Sequence, residues 1–214
     1  MAAPPRLSLS GVPGIPLIAP GDDLGAIIAA AMGRAGLACV DGDIIVIAQK
    51  VVSKAQGRFV DLTTVEPSAR ACAIAADTDR DPRLVEVILS ESVNVLRSDK
   101  RALVVEHRDG FVMANAGVDR SNVGPDGGER VVLLPIDPDA SAARLSAELS
   151  SRYGCRLPVI VSDSFGRAWR NGTAGIAIGA AGLPSLLDRR GAPDLFGRPL
   201  HVTTIGFADE IAAA

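Results

Sequence analysis

Apolar residues at positions 24, 27, 28, 31, 32 and 35 recur at the three- and four-residue spacing of one helix face. Asp22 and Asp23 stand ahead of them as capping residues and Gly36 stands behind as a stop, so the pattern predicts a first helix from Leu24. After the Asp41-Gly42 turn, the run from Asp43 to Ala48 is continuous enough for a buried strand that delivers Gln49 and Lys50 at its end. Arg58 to Leu62 predicts a second strand. Thr63 and Glu66 have capping-box spacing ahead of a helix around Pro67 to Ala76, and Asp81-Pro82 opens another that carries Leu84, Val85, Val87, Ile88 and Leu89. Strands follow at Asn94 to Arg97, Ala102 to His107 and Phe111 to Asn115, the last two joined across Asp109-Gly110. The stretch from Asn115 to Gly124 reads as a polar loop, and Gly124 to Gly128 continues it as a turn. A short strand at Val131 to Leu134 leads to a helix from Asp137-Pro138 to about Arg152, closed near Gly154. Leu157 to Ser162 is apolar throughout, the pattern of a strand covered on both faces. A Gly-rich segment, a turn at Asp194 to Gly197, a strand from Leu200 to Ile205 and a helix start at Ala208 to Glu210 complete the reading. Strands and helices intermix without a βαβ rhythm, so the expected class is α+β, with mixed sheets and flanking helices. No internal repeat is visible, which argues against solenoids and propellers.

Composition narrows the function classes. Hydrophobic residues make up 48% of the 214 positions and charged residues 22%, proportions of a folded globular chain. A formal net charge of −3 argues against a nucleic-acid-coating surface, and 3% aromatics argue against base-stacking platforms. Cys39, Cys72 and Cys155 are odd in number and widely spaced, so reduced thiols and a cytoplasmic location are expected. The first residues lack the apolar core of a signal peptide. The longest uncharged run, Gly172 to Leu187, is broken by four glycines and Pro184, so no membrane span is expected. Of 22 basic residues only Lys50, Lys54 and Lys100 are lysines, and two of these stand within five residues. A lysine provides a compact point charge that the arginine fork does not reproduce.

Three stretches carry candidate chemistry. Asp163 and Ser164 end the buried run with hard oxygen donors suited to Mg²⁺ or Mn²⁺; a turn or N-cap aspartate is the plain alternative. Arg167 and Arg170 follow in a Gly-bracketed loop, a composition suited to phosphate or carboxylate recognition, with Trp169 between them as a packing anchor. Asp119, Ser121 and Asn122 form a second group, aimed outward by the Asn115-Ala-Gly117 turn, against the alternative of a solvated loop. Gln49 to Lys54 forms the third, against the alternative of a solvated strand end. No GxxxxGK[ST] motif is present and no GxGxxG follows a strand, which excludes a P-loop and argues against a Rossmann site. His107 and His201 are isolated and read as structural or surface residues.

Gly14 to Leu24 (GIPLIAPGDDL), Gln49 to Arg58 (QKVVSKAQGR), Asn115 to Val123 (NAGVDRSNV), Val161 to Gly172 (VSDSFGRAWRNG) and Ala208 to Ala212 (ADEIA) occur in this order. In these motifs, and over nearly its whole length, the chain resembles the F420-0 gamma-glutamyl ligase family. The resemblance implies a mixed α+β fold specific to that family, an intertwined homodimer, and GTP-dependent addition of L-glutamate to the carboxylate of coenzyme F420-0. It implies a nucleotide site of Ile15, Pro16, Leu17, Ile18, Gln49, Lys50, Lys54 and Asn122, with Mn²⁺ or Mg²⁺ on Asp119, Asp163 and Ser164 and potassium as a helpful ion. Asp119, Asp163 and Lys54 would carry the catalysis. Family members continue past the ADEIA helix into a Gly-rich segment that closes on the nucleotide. The chain is therefore expected to be a single ligase domain over 1–214 with that segment missing. A metal-dependent phosphohydrolase and a catalytically incomplete nucleotide-binding or dimerisation module are the competing readings. Neither nucleic acid nor membrane is an expected partner.

Overall fold

A computed structural model describes residues 6–124 and 129–214. In chain order the elements are α1 (Leu24–Arg34), β1 (Ile45–Ala48), α2 (Gln49–Ala55), β2 (Phe59–Asp61), α3 (Ala69–Thr78), α4 (Pro82–Ser90), β3 (Ser92–Ser98), β4 (Leu103–His107), β5 (Val112–Ala114), β6 (Arg130–Val132), α5 (Pro138–Tyr153), β7 (Val159–Gly166), β8 (Thr173–Ala181), β9 (Leu187–Asp188), β10 (Thr204–Ile205) and α6 (Phe207–Ala213). The α+β class holds among the described residues: six α-helices accompany several small sheets. One sheet has the order β1-β7-β8 and another β3-β4-β5, with the pairs β2-β6 and β9-β10 apart from them. No helix of the described residues is long and apolar enough to cross a membrane. The three cysteines are free thiols.

Helix starts follow local chemistry. Asp23, Asp81 and Asp137 each accept a backbone N–H of the first turn, and Pro82 and Pro138 stand where a missing N–H does no harm. The predicted Thr63 capping box is not the start of α3. Residues Leu62–Thr64 form a 3₁₀ turn capped by Asp61, and the helix waits until Ser68, whose hydroxyl accepts from the Ala71 N–H. Pro67 explains the delay, because a proline disfavours helical geometry at the residue before it.

Three strand predictions change. The strand predicted over Leu157 to Ser162 runs on to Gly166, so Asp163 and Ser164 lie inside β7 and not beyond its end. The Gly-rich segment is the nine-residue β8, paired antiparallel with β7 along its length. Small residues are needed there because α5 lies directly on the strand: a methyl at Gly179 would overlap the Pro138 carbonyl. The strand predicted over Leu200 to Ile205 shortens to β10. The turn predicted from Gly124 onward lies, for residues 125–128, outside the described residues.

Two apolar clusters form the interior. Leu24, Ile28, Met32, Leu145, Leu149, Val159 and Val161 pack α1 and α5 against the β1-β7-β8 sheet. Leu62, Ala71, Ala75, Leu84, Val85, Ile88, Leu103, Val105 and Val131 pack α3 and α4 against the β3-β4-β5 sheet.

Candidate active site

Register places the first group. β1 and β7 are parallel, with Ala48 opposite Ser162, so the next residues on each strand, Gln49 and Asp163, stand side by side where β1 ends and β7 runs on. β1 then winds into α2, while β7 continues paired only with β8. Past Ser162, the β1 edge of β7 therefore opens to a cleft. A register shift between Val161 and Ser162 in the β7-β8 pairing marks the point where β7 departs from its buried course. Ligands of open sheets with parallel strands characteristically lie outside the carboxyl ends of those strands, and Asp163 stands just past the last β1-β7 pair, beside the carboxyl end of β1.

Gln49 to Lys54, for which a solvated strand end was the plain alternative, is helical and makes up most of α2. Lys50 and Lys54 are separated by one turn of α2 and so share a face. That face meets the Asp119 to Asn122 loop. Lys50 Nζ pairs with Asp119 Oδ2 at 2.6 Å and donates to the carbonyl and the hydroxyl of Ser121, each at 3.0 Å. Lys54 Nζ donates to the Asn122 carbonyl at 2.5 Å. The loop is pinned from behind, since Asp119 and Val132 exchange two backbone hydrogen bonds that extend the β2-β6 pairing. Asn115, Ala116 and Gly117 all have positive φ, at 55°, 51° and 67°. A Cβ on Gly117 would stand 2.7 Å from Leu134 Cδ2, so both the turn and the space require glycine there.

The result is a cleft of about 680 Å³ lined by Gln49, Lys50, Asp119, Asp163 and Ser164, with Asn115, Met113 and Phe165 among its other walls. A second cleft, of about 820 Å³, is lined by Leu17, Ile18, Lys54, Asn122, Phe59 and Arg130. The candidate residues therefore divide between two clefts, with α2 contributing to both. Ile15 packs against the apolar core and Pro16 is exposed; neither lines these clefts. Trp169 is not a packing anchor: it is fully exposed, with φ of 57°, in the β7-β8 connection. Arg167 and Arg170 are exposed in the same connection and line neither cleft. Arg130 and Phe59 carry no motif that would have singled them out.

The two aspartates differ electrostatically. Burial pushes the Asp163 carboxyl above its ordinary range, and the nearby Asp119 charge adds to this; the Ser164 N–H, Lys50 and the Gln49 amide only partly offset it. Burial also acts upward on Asp119. There, the Lys50 ammonium and the Ser121 N–H and hydroxyl outweigh it and hold the carboxyl below its ordinary range. Asp163 makes no ion pair among the described residues, so the pair lacks one positive charge. Among those residues no cluster of three His, Cys, Asp or Glu side chains is present. Two carboxylates and a hydroxyl nevertheless fit a hard divalent cation of the kind that takes its remaining oxygens from water and substrate phosphates.

Residues 14–214 match the family model described as F420-0:Gamma-glutamyl ligase. The chain belongs to this family. It is 47% identical over 208 residues to the coenzyme F420:L-glutamate ligase of Methanothermobacter thermautotrophicus, covering 97% of this chain and 81% of the relative. It is 42% identical over 214 residues to the protein of that name from Methanopyrus kandleri, covering 100% and 82%. The like-named Methanocaldococcus jannaschii protein is 43% identical over 173 residues, covering 81% and 68%. The match to the gamma-glutamyl ligases includes both clefts.

Proposed function

We propose that this protein is a GTP-dependent ligase of the cytoplasm that forms an amide between the carboxylate of coenzyme F420-0 and the amine of L-glutamate. The observation that supports it most strongly is the convergence of Lys50, Asp119, Asp163 and Ser164 on one cleft, beside a second cleft with apolar walls and its own cations, in a chain of this family. A carboxylate is a poor electrophile and does not condense with an amine in water. Transfer of the γ-phosphoryl group of GTP to the F420-0 carboxylate makes an acyl phosphate. The neutral amine of glutamate attacks its carbonyl carbon, the C–O bond to phosphate breaks, and GDP, phosphate and the amide remain, with the ammonium proton passing to solvent.

Such a transfer depends on positioning and charge neutralisation more than on a protein nucleophile. Leu17, Ile18 and Phe59 provide a surface for the base and ribose, while Lys54, held by the Asn122 carbonyl, presents a point charge to the phosphates. Lys50 holds Asp119 and Ser121 in place across the first cleft. Asp119, Asp163 and Ser164 would hold Mn²⁺ or Mg²⁺, which supplies charge neutralisation at phosphoryl oxygens when bound; potassium belongs to the same reading as an activating ion. A second copy of this chain completes the assembly. The segment between β8 and α6 exposes Leu186, Leu195, Phe196 and Val202, more apolar side chains than a solvated connection needs, and this supports that part.

The test is phosphate release from GTP with each component withheld in turn. Release that requires both F420-0 and L-glutamate supports the ligase. Release from GTP alone points to the phosphohydrolase, and no release under any condition points to a binding module. Sedimentation of the purified protein tests the dimer.

A further inference from the structure

Beneath the first cleft lies a buried pair of polar side chains. Gln49 opens α2 and Ser53 follows one turn later, on the same face. Ser53 is completely buried and Gln49 is 3% exposed. A helical serine commonly donates back to the carbonyl four residues earlier. Here the Ser53 hydroxyl donates to the side-chain oxygen of that residue, Gln49 Oε1, at 2.9 Å. A carboxamide has one acceptor end and one donor end. With the oxygen held by Ser53, the –NH₂ end is left for the neighbouring Asp163 carboxyl, which the Ala48-Ser162 register sets beside Gln49 on the wall of the same cleft. A half-turn of the amide would set its carbonyl oxygen against the Asp163 oxygens, oxygen facing oxygen. The ionised Asp163 carboxylate can only accept, which favours the orientation with the –NH₂ toward it, and the Ser53 hydroxyl holds the amide in place from its far end.

We infer that Ser53 is a positioning residue: through the Gln49 amide it fixes the Asp163 carboxyl in the orientation that receives a divalent cation. The inference rests on the metal reading proposed above. It assigns Gln49 a role behind Asp163 in addition to its place on the cleft wall, and it gives Ser53 a function that its burial alone would not. Partners of this kind behind a ligand typically change metal affinity about 10- to 100-fold when removed.

The experiment is Mn²⁺ titration followed by the electron paramagnetic resonance signal of the free ion. It uses the full chain as wild type, Ser53→Ala, Gln49→Met and the double variant, with a thermal melt of each. Ser53→Ala should bind Mn²⁺ about tenfold more weakly. Gln49→Met, which fills similar volume but cannot donate, should show a loss of similar size. The double variant should be no weaker than Gln49→Met, because Ser53 acts only through that amide. Should Ser53→Ala fold poorly, Ser53→Cys, close in shape and a weak donor, should show the same loss. Unchanged affinity in a folded Ser53 variant, or full additivity of the two losses, would overturn the assignment. A lowered melting temperature with unchanged affinity would overturn it too, leaving Ser53 a packing residue. No Mn²⁺ binding by the wild type would defeat the metal reading and the inference together, and the wild-type arm reveals this before any variant is compared.

Discussion

At the scale of single residues, the cleft is maintained against its own stability. Folding raises the Asp163 pKa through burial and the Asp119 charge. The stability linked to its protonated form is present in acid and is lost as pH rises through the folded-state value. Asp163→Asn therefore keeps the shape and removes a charge that the fold disfavours. The melting temperature at neutral pH should stay level or rise, while ligase turnover falls by at least about a hundredfold. A melt and a turnover assay on one preparation check both halves. Lys54 poses a narrower question. Its ammonium is a point donor against the Asn122 carbonyl, and a guanidinium is wider and planar. Lys54→Arg should weaken GTP binding about tenfold, ~1.4 kcal/mol, in isothermal titration.

At the scale of elements, the site depends on strands and helices meeting at particular small residues. Gly179→Ala pushes a methyl into the first turn of α5 and so separates that helix from β8. A loss of about 1–3 kcal/mol in chemical denaturation is expected, with activity reduced in the fraction that remains folded. β8 also shows where reading the sequence stops. Its Gly and Ala content resembles a loop, and only the α5 backbone lying on it explains why a strand must be small there. α2 was hidden for a related reason: Ala48 offers no side-chain cap, and the seven-residue helix lacks a start signal. By contrast α1, α4 and α5 announce themselves through Asp caps and apolar spacing, and the β1 and β7 cores through unbroken apolar runs. In the site, Asp119, Asp163 and Lys50 were legible as chemistry. Their gathering in one cleft, with Lys54 and Asn122 in another, was not, because it follows from the Ala48-Ser162 register and the Asp119-Val132 bridge, both long-range pairings.

At the scale of the whole molecule, Arg58 joins the two packed bodies. Its guanidinium donates to the Leu134 carbonyl at 2.9 Å and to Glu91 at 2.8 Å, and Arg108 reaches the same Glu91 oxygen at 3.1 Å. Burial acts upward on the Glu91 carboxyl, but His107, Arg58 and Arg108 outweigh it and hold the pKa below the ordinary glutamate range. The stability from this group is present above the unfolded-state pKa and is lost as pH falls through the lower folded-state value. Glu91→Gln should cost about 2–3 kcal/mol at neutral pH, because two guanidinium groups lose their counter-charge. It should also flatten the acid limb of a denaturation-against-pH curve, and an unchanged acid limb would place the acid lability elsewhere.

The measurement that bears most directly on the account is the mass of coenzyme F420-0 after incubation with this protein, GTP, Mn²⁺ and L-glutamate. A shift of one glutamyl unit is expected, one that appears only when both GTP and glutamate are present and that Asp163→Asn abolishes. An unshifted coenzyme, with GTP consumed regardless of glutamate, would contradict it.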